Sequence, residues 1–241
     1  MEDTREMGYV SHYMRHVLKI QYLLADTSIE RFIFDLAQTS PSARSAMCLL
    51  SAVHQQRMQQ MNVARGTLTV DNEELDRLMK KTRYLLSHAQ AVTEGEAMAG
   101  LHVVSCFLFL GGQGPWQYYL NVAMHWVGSI LTDRRYTGPL DAYRHCTEAE
   151  QFIIRTTMWF DVWSAVTRRT EPKFAQTYRQ LFEGVHGYPG GGQIGEVDML
   201  SVMGCTNETV LAMSETATLA FWKEEGIRNG ELMCPVADGQ G

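Results

Sequence analysis

The chain has 241 residues, 45% hydrophobic and 20% charged, which is enough apolar material for a substantial core. Its net charge of -6 is uneven: from Glu183 onward two basic residues stand against nine acidic ones. No basic stripe is available to neutralise phosphates, so the sequence excludes a chain that grips DNA or RNA by itself.

Helix punctuation recurs along the chain. Ser40-Pro41 supplies an N-cap acceptor followed by proline at the first helical position, and Ala43, Met47, Leu50, His54 and Met58 follow at helical spacing. Asp71 to Glu74 starts a second helix with the stripe Leu75, Leu78, Met79, Leu85 and Leu86. Thr93…Glu96 is a capping box ahead of the apolar run Leu101–Leu110. That run could be a buried strand by residue type, but the box in front of it predicts a helix. It is also too short for a bilayer, which takes about 20 residues. "GGQGPW" at 111–116 resembles a nucleotide loop but lacks the third glycine and the P-loop Lys-Ser/Thr, so it reads as a helix–helix connection.

Thr147…Glu150 is a second capping box. The helix behind it carries apolar residues over most of its circumference, from Phe152 to Val166, and reads as a central buried helix. Asp161 interrupts it. An unpaired buried charge is costly, and Arg168 lies two turns away on the same face, which nominates an Asp161–Arg168 ion pair. Arg168 and Arg169 sit where cations complement the helix dipole, and Pro172 blocks continuation. The aromatic residues could instead line a cavity for an apolar ligand, although an aromatic stripe at helical spacing is usually core. Six glycines in 183–196 mark a connector, and Thr206 or Asn207 caps a last long helix ended by Gly226 or Gly230. The tail 231–241 reads as frayed. The prediction is an all-α bundle of roughly eight to ten helices, with antiparallel hairpins around a central buried helix, in one domain over 1–241.

Chemistry-bearing sets are scarce. His12 and His16 share a helix face, but a zinc hydrolase would need Glu at Tyr13 and a third ligand. His102, inside an apolar run, reads as a hydrogen-bonded core histidine. Asp141 and His145 have no nucleophile nearby. Five scattered cysteines form no C-x-x-C pair, which suits a reducing intracellular compartment. The expectation is therefore no catalytic set, no metal site and no cofactor, with any ligand site unassigned.

"FDVWSAVTRRTEPKF" resembles the aromatic-Asp-Val…Arg-Arg-x-x-Pro segment of the fungal-specific transcription factor domain, the regulatory region of binuclear zinc-cluster factors. Three more segments agree in order: "FIFDLAQTSPSARSAMCLLSAVHQQRM", "GLHVVSCFLFLGGQGPWQYYLNVAMHWVGSIL" and "DMLSVMGCTNETVLAMSETATLAFWKEE". The resemblance spans about Val10 to Glu225. On it, Asp161 matches the family's helix acid, Arg168 and Arg169 its paired arginines, and Gly204 its Gly-Cys turn. It implies a non-enzymatic, nuclear, effector-responsive module that senses a small apolar molecule and meets transcription machinery or co-regulators, with a homodimer allowed. DNA contact would come from a zinc cluster whose paired C-x-x-C motifs these residues lack, so the chain is expected to be a regulatory half, a fragment or a short paralogue. The alternatives are a helical interaction scaffold, or a helical enzyme acting on a hydrophobic ligand, for which no D-D-x-x-D run is present.

Overall fold

The computed structural model describes residues 2–63, 72–182 and 197–230. The glycine-rich connector expected at 183–196, the cap expected at Asp71 and the frayed tail expected at 231–241 lie outside the described residues. Among those described, there are helices and no strands, and nine helices have seven or more residues. The all-α expectation holds.

In chain order the helices are α1 (Glu2–His12), a π-helical turn (Tyr13–Val17), α2 (Leu18–Gln21), α3 (Thr27–Thr39) and α4 (Pro41–Val63). Then follow α5 (Asn72–Ser87), α6 (Glu94–Phe109), α7 (Trp116–Leu131), α8 (Pro139–Arg144) and α9 (Glu148–Arg168). The last are α10 (Ala175–Leu181), α11 (Leu200–Met203) and α12 (Asn207–Arg228). The caps fall where side-chain chemistry placed them. Ser40 Oγ accepts from the Ala43 amide at 3.2 Å, and both Thr-x-x-Glu boxes are closed at α6 and α9. Asp26 caps α3 by accepting from the amides of Ser28 and Ile29.

Two sequence alternatives are resolved by packing. Thr206, not Asn207, caps α12. Asn207 is buried instead, where its Oδ1 accepts from the Met199 amide at 3.0 Å and its Nδ2 donates to the Val197 carbonyl. Gly226 is buried within α12, and the turn comes at Gly230, whose φ of 73° suits a residue without a Cβ.

The centre of the molecule is α6. Every residue from Ala97 to Phe107 is buried, because α4 covers one side, α7 the other and α9 a third. α9 is buried all round only from Phe152 to Met158, and its last turns expose Trp163, Val166 and both arginines. The connection "GGQGPW" is a helix–helix link as expected, with Gly111, Gly112 and Gly114 at positive φ reversing the chain in a few residues.

Close approach of α6 and α7 depends on Gly100. A Cβ there would lie 2.4 Å from the Tyr119 carbonyl oxygen, a backbone atom that moves only if the helices separate. Gly100→Ala is therefore expected to cost roughly 2 kcal/mol by overpacking, even though alanine favours helix by about 1. Gly8→Ala in α1, with nothing within 4 Å of its Cβ, should gain stability instead. Urea melts of the two variants should move in opposite directions, and two stabilised proteins would contradict the close-contact argument.

Candidate effector cavity

The cavity forms where three helices meet. α6 supplies Val104 and Leu108, α7 supplies Trp116 and Leu120, and α9 supplies Phe160 and Trp163. Its volume is about 150 Å³, and neither Ser164 nor Thr167, the polar side chains at its edge, carries a charge. Thr167 Oγ1 is turned to the helix carbonyls of Trp163 and Ser164, so the space it borders stays apolar. The sequence builds this locally. The capping box fixes the register of α6, the three glycines turn the chain, and Trp116 is the first residue of α7.

A second cavity of about 160 Å³ lies against the first and shares Leu108 and Phe160 as a wall. Leu108 is 56% exposed, and Trp163 is 41% exposed with its ring edge-on to Trp159 at 5.6 Å between centroids. The second chamber is lined by Gln21 and Tyr22 from the first helical segment, Ser105 from α6, and Trp159 and Met203 beyond it. A cavity near 150 Å³ holds one benzene-sized ring. Small-molecule pockets usually begin at about 300 Å³, a size the two chambers reach only when joined. A larger depression, about 630 Å³, lies elsewhere and is polar and open, with Arg31, Asp35, Glu94 and Glu148 in its lining. Burial and then the neighbouring Glu150 push the Glu94 carboxyl up, and among the described residues no group of three or more His, Cys, Asp or Glu could hold a metal ion.

The residues singled out from the sequence fall elsewhere. Asp161 is buried at 2% exposure, as expected, but its partner is not Arg168. Asp161 accepts from the backbone amides of Lys173 and Phe174, both at 3.1 Å, and from the Tyr178 hydroxyl at 2.5 Å. Arg168 is exposed, and among the described residues no ion pair or hydrogen bond joins it to Asp161. Seven helical residues put the two Cα atoms about 10 Å apart along the axis, while the turn after Pro172 brings two amides directly to the carboxylate. Burial raises the Asp161 pKa, an effect that the Tyr178 hydroxyl and the two amides oppose. Arg169 adopts the left-handed conformation (φ 54°) that closes α9 and reaches Glu224 on α12 at 3.5 Å. Gly204 ends α11 at φ 70°.

Two histidine readings need refinement. His102 is fully buried and contacts the Tyr13 hydroxyl at 3.0 Å, as a core histidine should. His12 and His16 do share a face, but a third ring joins them: His54 of α4 lies 2.9 Å from His12, nitrogen to nitrogen. Burial and the two neighbouring imidazoles push the His12 pKa down to about 4. Nothing in the local sequence could pair positions 42 residues apart. The same holds for Gln21 and Ser105, and for Arg155, whose buried guanidinium donates to the Asp198 carbonyl and to Ser201 Oγ.

No helix among the described residues is long and apolar enough to cross a membrane. Comparison with curated proteins and with solved structures returns no match. The model of one family, described as the fungal specific transcription factor domain, matches residues 8–235, nearly the whole chain and all four segments on which the sequence resemblance rested. The chain therefore belongs to the fungal specific transcription factor domain family, and its role is that of a regulatory part of a transcription factor.

Proposed function

We propose that the chain is a non-catalytic, effector-sensing domain that binds a small apolar molecule between α6, α7 and α9. The observation that carries this reading is the uncharged cavity beside the half-exposed Trp163. A ligand there would touch three helices that pack against one another, α6, α7 and α9, so its binding energy could bias their arrangement. The same helix, α9, runs on to the exposed Arg168 and to the Arg169–Glu224 contact with α12, which gives an internal event a route to the surface. In this reading the domain acts in the nucleus and meets co-regulators or a second copy. Contact with DNA comes from a zinc cluster, which these 241 residues do not contain.

Toluene is a suitable first probe for a chamber of one-ring size. At ten times its Kd, a ligand specific for the folded state adds about 1.4 kcal/mol, or a rise in Tm of roughly 3–6 °C for a chain of this length. Ser164→Leu, which places four carbons at the cavity edge, should abolish the shift and the accompanying change in Trp163 fluorescence. A shift that persists in the filled variant would place binding elsewhere, and no shift with wild type would remove the effector reading.

A further inference from the structure

The second chamber holds polar groups that an apolar ligand would leave unused. Tyr22 is 2% exposed, lines this chamber, and its hydroxyl is buried with no hydrogen-bond partner among the described residues. Leaving such a group unmet costs the desolvation of a hydroxyl. Beside it runs a chain of hydrogen bonds with a fixed direction. Ser105 donates to the Leu101 carbonyl at 3.1 Å, so its oxygen accepts from Gln21 Nε2 at 2.8 Å. That orientation turns Gln21 Oε1 to the Tyr13 hydroxyl, which donates to it at 2.7 Å. The Tyr13 oxygen then accepts from His102 Nε2 at 3.0 Å, which leaves His102 Nδ1 as the bare, unpartnered nitrogen, as observed. Each polar hydrogen in the chain is spoken for except one, the second hydrogen on Gln21 Nε2.

Two spare donors therefore sit on residues that line one chamber, the Tyr22 hydroxyl and the Gln21 amide. The hydroxyl is closed behind the chamber surface, so both would serve a single acceptor oxygen once a small shift of the lining opens it. Among the described residues no charged side chain lines either chamber, so a carboxylate or phosphate there would lose its hydration without a counter-charge. Resting on the effector reading above, we infer that the effector is a neutral carbonyl compound of about two-ring size. Its apolar end fills the chamber at Trp163, and its ketone, ester or amide oxygen accepts from Tyr22 and Gln21. Leu108 and Phe160, the shared wall, are the side chains that must rotate to admit it.

The test compares biphenyl, 4-acetylbiphenyl and biphenyl-4-carboxylate by titration calorimetry, on the whole chain and on Tyr22→Phe. Removing an unpartnered hydroxyl should leave the fold intact, which an unchanged Tm verifies. For wild type the ketone should bind at least tenfold more tightly than biphenyl, and the carboxylate more weakly than the ketone. In Tyr22→Phe the ketone should fall to within about threefold of biphenyl, with biphenyl itself unchanged. Equal affinities of ketone and biphenyl in wild type would overturn the inference while leaving the apolar cavity standing. So would a ketone preference that survives Tyr22→Phe, because the hydroxyl would then serve only a bound water. If neither biphenyl nor the ketone binds, the effector reading itself fails, and this inference fails with it.

Discussion

Asp161→Ala should lower stability by roughly 4 kcal/mol. The carboxylate is the acceptor for three buried or half-buried donors: two backbone amides and the Tyr178 hydroxyl. Each donor stranded without an acceptor costs about 1–3 kcal/mol, and the amides cannot be mutated away. Tyr178→Phe removes one donor and leaves the other two satisfied, so about 1–2 kcal/mol is expected. Arg168→Ala should stay within about half a kcal/mol, as for an exposed side chain with no partner among the described residues. In a double-mutant cycle read from urea melts, Asp161 and Tyr178 should couple, while Asp161 and Arg168 should add. A strong Asp161–Arg168 coupling would restore the ion pair that the helical spacing suggested and would displace the amide cradle from its role.

Acid should destabilise the protein well before most carboxylates titrate. Burial pushes His102 down to about 3, and His12 lies near 4. In both cases the unfolded chain takes up the proton first, near pH 6.5, so stability is fully present above that pH and is lost as pH falls towards the folded value. Well inside that window each unit of pH costs about 1.4 kcal/mol for the fully buried His102, which alone should remove roughly 2 kcal/mol between pH 6.5 and 4.5. Asp161 acts in the opposite direction, because its raised pKa favours protonation in the folded state, but only in the window that begins near its ordinary value of 3.8. Urea melts at pH 7 and 4.5 should show the loss, and His102→Gln should remove its own share, about half, while keeping a donor towards Tyr13. An identical pH slope in the variant would mean that His102 is not the group that titrates.

What the sequence determined by itself was local. Caps, the stop at Pro172, the connection at Gly111–Trp116 and the all-α class are written in adjacent residues, because a capping box or a helix breaker acts within one turn. Family membership was legible for a related reason: its four segments are each short and lie in a fixed order. The burial of Asp161 and His102 was also readable, from their apolar surroundings along the helix. Their partners were not. Periodicity says which face of a helix is buried, but not what packs against it. Asp161 was given to Arg168 because both lie on one helix, whereas a turn beyond Pro172 delivers Lys173, Phe174 and Tyr178 to it. The cavity at Trp163, the third histidine beside His12 and the unpaired hydroxyl of Tyr22 all depend on helices far apart in the chain. Only tertiary structure decides such sites, because hydrogen bonds and voids depend on distances of a few ångströms that no spacing within a single helix encodes.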